Sequence, residues 1–157
     1  MTATPRVLAI WQRLSALPAG PWIFSRIVCW KAPYFASISP RFEVLEPGRS
    51  VVRIRKRRSV QNHIGTVHAI AMCNMAELAA GTMTDVSIPA SHRWIPKGMT
   101  VEYLARAETD LRAVATLDSK QTFGAAADVP VTVQVLDTGG KTVLRATITM
   151  WVSPKKR

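Results

Sequence analysis

A chain of 157 residues, 48% of them apolar, is long enough to bury one core and too apolar for a disordered segment. Two cysteines, Cys29 and Cys73, exclude a disulfide scaffold and point to a reducing compartment, the cytoplasm. The formal charge of +11 favours an anionic partner, whether nucleic acid, an acidic membrane or a phosphate-bearing ligand, and does not choose among them.

Arg or Lys interrupts every apolar run in the first forty positions, so no stretch there approaches the roughly 20 residues of a spanning helix. Arg6, Arg13, Arg26, Lys31 and Arg41 all precede the first acidic residue, Glu43, as they do in transit peptides. The tryptophans and prolines of this segment, and its unbroken passage into structured sequence, favour a folded extension over residues 1–41. Within it Thr4-Pro5 reads as an N-cap followed by a first-turn proline, and Val7, Ile10, Trp11, Leu14 and Leu17 recur at helical spacing until Pro18 and Gly20. This amphipathic helix is expected to pack on its own domain or on a neighbouring subunit, with a membrane surface as the alternative. Residues 21–41, with three prolines, are expected to be irregular with at most a short helix.

Phe42–Leu45 and Val51–Ile54 read as strands around the turn Glu46-Pro47-Gly48-Arg49. The second strand is expected to extend into Arg55-Lys56-Arg57-Arg58, placing Arg53, Arg55 and Arg57 on one face. Next comes a run of good helix formers from Ala69 to Ala80, with Thr66 as candidate N-cap and Gly81 as candidate C-cap, predicting a helix of about four turns. Strands are then expected at Val86–Pro89, Met99–Ala107, Leu111–Leu117, Val129–Leu136 and Thr142–Val152. The last two form a hairpin: Val129, Val131, Val133 and Val135 alternate up to Asp137-Thr138-Gly139-Gly140, and Leu144, Ala146, Ile148, Met150 and Val152 alternate back. Residues 42–152 thus form the core of a single domain over 1–157, and 153–157 a basic tail.

Apolar residues occupy nearly the whole circumference of the central helix, as in a helix buried on all sides. Only Asn74 and Glu77 interrupt them. A carboxylate in such a place costs several kcal/mol unless it is hydrogen-bonded, paired or used, which leaves Glu77 either structural or catalytic.

Asn62, His68 six residues later and Glu77 nine beyond that, with Gly65 between and a helix opening at the histidine, resemble the signature of the hotdog superfamily. They are closest in pattern to the phenylacetate-pathway type of acyl-CoA thioesterase. The order of elements over residues 42–152 is similar to the hotdog topology. Pro33-Tyr34-Phe35 and Trp94–Met99 further resemble an uncharacterised bacterial thioesterase-like hotdog family.

The resemblance implies an α+β hotdog fold, a curled antiparallel sheet wrapped around one long central helix, preceded here by an extra N-terminal helix. It also implies hydrolysis of an acyl-CoA thioester by a homodimer, with pairing into a homotetramer left open. Glu77 would be the general base on a water, or a nucleophile; backbone N–H groups near Ala69 would form the oxyanion hole; Asn62 would orient water or carbonyl. His68 would be held by a hydrogen bond or act directly, and Gly65 and Thr66 would border the substrate. Arg55, Arg57 and Arg58 would take the phosphates of coenzyme A, or form a solvated strand face instead; Arg93 and Lys97, expected in a loop, are comparable candidates. Coenzyme A enters as part of the substrate, with no cofactor and no metal.

Glu77 lies roughly 13 Å beyond His68 along the helix and about half a turn away, so one chain does not easily place both at one carbonyl; the resemblance implies a site between two subunits, with the carboxylate of one facing Asn62 and the helix start of the other. Two departures stand out: His68-Ala69-Ile70 replaces the usual His-Gly-Gly, and Glu77 the usual Asp. Ala69 and Ile70 still supply N–H groups, but the bulk of Ile70 suits a narrower channel or a module that binds acyl-CoA or an acyl chain without hydrolysing it. Nucleic-acid binding is disfavoured, because Trp94, Tyr103 and Phe123 are not interleaved with the basic run.

Overall fold

The computed structural model describes residues 4–118 and 120–155, so Lys156 and Arg157 of the basic tail lie outside it. Six strands form one antiparallel sheet: β1 (Arg41–Glu46), β2 (Arg49–Ile54), β3 (His92–Tyr103), β4 (Leu111–Thr116), β5 (Ala127–Leu136) and β6 (Thr142–Pro154), in the order β1-β2-β4-β5-β6-β3. Every second side chain of β5, from Val129 to Val135, is buried while its neighbours are exposed, and Val131 faces Ile148 of β6 across the hairpin. That strict alternation is what a sheet with one wet and one covered face requires.

The covered face holds α3 (Ala69–Ser87), 19 residues long. Met72, Met75, Ala76, Ala79, Ala80 and Met83 point into the sheet and are at most 4% exposed. Burying each methionine contributes about 1.5–3 kcal/mol, while the alanines let helix and sheet approach closely. The sheet therefore wraps one long helix, in the expected α+β hotdog arrangement.

Several local expectations are corrected. The central helix does not stop at Gly81 but continues to Ser87, and Ile88-Pro89 ends it. Thr82, Thr84 and Ser87 each donate a hydroxyl to the carbonyl four residues back, which lets polar side chains ride in the last turns. Residues 86 and 87, expected in a strand, are the helix end. Gly81 lies mid-helix because the indole of Trp94 rests on it: a Cβ there would come within 2.7 Å of the ring. The strand expected at Met99–Ala107 instead starts at His92 and ends at Tyr103, which puts Arg93 and Lys97 on a strand and not in a loop.

The N-terminal extension is more regular than expected. The first helix, α1 (Arg6–Ser15), is preceded by Pro5 as N-cap in place of Thr4 and stops short of Leu17. The segment expected to be irregular contains α2 (Gly20–Lys31), 12 residues opened by proline, and a 3-10 turn at Pro33–Ile38. Both helices join the core: Phe24 of α2 stacks edge-on against Trp11 and against Phe42 of β1, each at 5.1 Å between ring centroids. The proline density signalled chain breaks and hid a helix that proline merely starts.

Candidate active site

The start of α3 is held by its own loop. Val67 donates its N–H to the carbonyl of Ala107 and His68 to that of Val60, which fixes where the helix begins. The N-cap is His68, not Thr66: its Nδ1 accepts the N–H of Ile70 at 3.0 Å. A ring accepting through Nδ1 carries its proton on Nε2 when neutral, and this exposed edge faces solvent. Thr66 is buried and accepts instead from the side-chain amide of Asn62 at 2.8 Å.

Asn62 organises the loop before the helix. Its Oδ1 accepts the N–H groups of Ile64 and Thr66, each at 3.1 Å, and Gly65 takes a left-handed φ of 78° that lets the chain turn beneath it. Nothing lies within 4 Å of where a Gly65 Cβ would sit, so backbone conformation and not crowding selects glycine here. One N–H of the Asn62 amide has no acceptor among the described residues.

Among the described residues the N–H groups of Ala69 and Ala71 meet no acceptor, while that of Ile70 is taken by the cap. Two free donors at the positive end of a 19-residue helix suit a developing negative charge. A cleft of about 200 Å³ opens beside this first turn, bordered by Tyr34, Ser37, His68, Ile70 and Asn74.

The central helix is not buried all round, which corrects the reading of its circumference. Ile70 is 55% exposed, and Cys73 and Glu77 are half-buried on the same side of the helix. Glu77 borders a separate cavity of about 250 Å³, walled mainly by Val7, Val28, Phe35, Leu78, Trp94 and Pro96. Lys31 and Asp85 are the other ionisable groups at its edge, and Asp85 is engaged by the indole N–H of Trp94 at 3.1 Å. Among the described residues, the Glu77 carboxylate has no hydrogen bond or ion pair.

This uncovered side of α3 runs beside β3, the last strand of the sheet. Trp94 at one end of β3 lies on Gly81, and the hydroxyl of Tyr103 at the other lies 3.6 Å from Sγ of Cys73. The contact with the Cys73 thiol raises the pKa of the Tyr103 hydroxyl. Among the described residues of one chain β3 pairs only with β6, so its far edge has no strand partner among them. The helix face bearing Glu77 and the free strand edge are therefore neighbours.

The basic run follows β2. β2 ends at Ile54, so Arg55, Arg57 and Arg58 do not continue it, and Arg58 opens a short 3-10 turn. Arg53 is tied to Asp110 at 2.7 Å, and the same carboxylate accepts the N–H of Lys56 at 2.9 Å. These two bonds, Arg53 first, hold the Asp110 carboxyl below its ordinary range. Arg55 borders a different cleft with Trp22 and Arg26, sharing no wall with the cavity at Glu77. Lys97 is paired with Asp128 at 2.8 Å. The structure thus gathers Asn62, Gly65, Thr66, His68 and Ala69 at the helix start and sets Glu77 and Arg55 apart from them, while Arg57 donates to the carbonyl of Ser37 at 3.4 Å, at the border of the cleft beside that start. Sequence reasoning did not single out Ala71, whose free N–H follows from helix geometry, or Tyr103, which no motif marks.

The model of the family DUF4442, a domain of unknown function, matches residues 20–152. The chain belongs to that family. The genomics target APC5556 is 53% identical over 95% of this chain and 99% of its own, with a TM-score of 0.83. PA5026 of Pseudomonas aeruginosa, a protein of unknown function called a probable thioesterase, is 25% identical over 88% of this chain and 97% of its own, with a TM-score of 0.76. The thioesterase HI1161 of Haemophilus influenzae is 10% identical over 77% of this chain and 82% of its own, at 0.68, and shows the shared fold alone. No curated protein matches the chain. The fold common to these structures is the hotdog fold of the thioesterase superfamily.

Proposed function

We propose that the protein hydrolyses acyl-CoA thioesters as a homodimer, with Glu77 as general base on water and the N–H groups of Ala69 and Ala71 as oxyanion hole. The observation that carries this reading is the Glu77 carboxylate, half-buried and without a partner among the described residues, at the border of a largely apolar cavity. A carboxylate left unpaired in such surroundings is available to take a proton from water. The name of the Pseudomonas aeruginosa relative points to the same chemistry.

Attack on the thioester carbonyl moves charge onto its oxygen, and two preset N–H donors at a helix start stabilise that charge; one such donor is typically worth on the order of 3 kcal/mol. Asn62 and His68 serve as positioning groups. Asn62 holds the loop and has one amide N–H to offer to water or carbonyl, and His68 fixes the first turn. Gly65 and Thr66 shape the border of the substrate channel. Arg55, Arg57 and Arg58 remain the candidates for the phosphates of coenzyme A; Arg57, bonded to the carbonyl of Ser37, lies nearest the cleft beside the helix start, and Arg55 borders a separate cleft.

The spacing along the helix supports the proposed dimer. Residues 69 and 77 lie four positions to either side of Cys73, about 6 Å each way. A two-fold axis at the level of Cys73 therefore sets Glu77 of one protomer opposite the helix start of the other. The free edge of β3 beside this face offers the strand pairing that would hold such a dimer.

The second reading, binding without hydrolysis, is favoured by one feature: the bulky side chain of Ile70 stands 55% exposed next to Ala69, at the border of the cleft beside the helix start. A panel of short, aromatic and long-chain coenzyme A esters separates the two. Release of free thiol from at least one ester is expected. Binding of an ester with no turnover across the panel would establish the second reading.

A further inference from the structure

The outward face of α2 is the least expected surface of the molecule. Phe24, Ser25 and Cys29 turn inward, while Trp22, Ile23, Arg26, Ile27, Trp30 and Lys31 turn to solvent. Trp30 is 83% exposed and Trp22 57%, and Tyr34 of the following turn is 71% exposed. A soluble helix normally shows water its charged face; this one shows two tryptophans and two isoleucines. By contrast, the apolar stripe of α1 is spent on the core, where Leu8 and Trp11 are buried, so α2 and not α1 carries the unpartnered surface.

The charged residues that α2 itself turns to solvent, Arg26 and Lys31, are both positive, although Lys31 also shares the edge of the cavity at Glu77 with that carboxylate and Asp85. Five cations and no acid precede Glu43. Trp22 and Arg26 also border a cleft of about 310 Å³ between α2, the bend at Ser39 and Pro40 and the end of β2, which holds Arg41, Arg53 and Arg55 as well. Arg53 is paired with Asp110, but Arg26, Arg41 and Arg55 have no ion-pair partner among the described residues. Aromatic rings flanked by unpaired arginines match the headgroup zone of an anionic bilayer, where rings sit at the apolar boundary and cations meet phosphates. Pairing with the same face of a second copy would bring the cations of α2, Arg26 and Lys31, of both copies together, which disfavours that occupant.

We propose that the protein docks on anionic phospholipid surfaces through this face of α2, with the arginine cleft seating lipid phosphate. No step of this depends on thioester hydrolysis. The full chain is mixed with vesicles of phosphatidylcholine alone or containing phosphatidylglycerol and floated through a density gradient. Flotation is expected with the anionic vesicles only, weakening as salt rises. Trp22→Ala with Trp30→Ala should reduce the apparent affinity about tenfold and Arg26→Gln about fivefold, the equivalent of one cation at a charged surface. Protein that stays at the bottom with anionic vesicles, or a double variant that floats like the parent, overturns the proposal. A Trp30→Glu variant whose mass in light scattering falls while vesicle binding is unchanged would overturn it too, assigning the face to contact between copies.

Discussion

Asp110 offers a clean test of how the end of β2 is held. Its carboxylate accepts from the Arg53 guanidinium at 2.7 Å and from the N–H of Lys56 at 2.9 Å, and its side chain is 28% exposed. A hydrogen bond to a charged group contributes about 1.5–3 kcal/mol when sheltered, and solvent contact reduces this pair to about 2 kcal/mol in total. Asp110→Asn keeps the shape and one acceptor oxygen but turns an N–H toward the other donor, so a loss of about 1.5 kcal/mol is expected. For a chain of this size that corresponds to a drop of about 3–6 °C in Tm. The pH dependence gives a second handle. Because the folded-state pKa of Asp110 is lowered, its stabilisation is complete above the ordinary carboxylate value of about 3.9 and is lost as pH falls through the lower folded value. Thermal melts of wild type and Asp110→Asn should differ most near neutral pH and converge only in strong acid. Equal melting near neutral pH, or a gap that persists unchanged in strong acid, would refute this account.

Two further outcomes are expected. Phe24→Ala, which removes the ring between Trp11 and Phe42, should cost about 3–5 kcal/mol in urea denaturation; a loss under about 1 kcal/mol would mean that α2 is not part of the core. A short bis-maleimide should cross-link the proposed dimer through Cys73, which lies at the level of the proposed axis, while buried Cys29 should not react and Cys73→Ser should abolish the product. Monomer alone on a denaturing gel would remove the shared site.

The sequence carried the hairpin of β5 and β6 almost residue for residue, because alternation with period two is read directly from Val129 to Val135. It carried the start of α3 but not its end: Thr82, Thr84 and Ser87 look like turn residues until their hydroxyls are seen bonded back along the helix. Gly81 looked like a cap because the Trp94 ring that requires it comes from a strand thirteen residues away in sequence. The burial of Glu77 was overstated for a related reason. Composition reports how apolar a helix is, whereas exposure depends on which neighbour covers each face, and here one flank of α3 lies beside an unpaired strand edge. Asn62 and Thr66 were singled out for chemistry, and their mutual hydrogen bond, a matter of loop geometry, is visible only in three dimensions.

The most direct measurement is the turnover of coenzyme A esters by wild type and Glu77→Gln side by side, with matched melting curves. If Glu77 is the proposed general base, its loss should lower kcat about a hundredfold or more while Tm is retained, since Glu77 has no bonded partner to lose among the described residues. A Glu77→Gln protein that hydrolyses the same ester at the parental rate would contradict the assignment of this carboxylate.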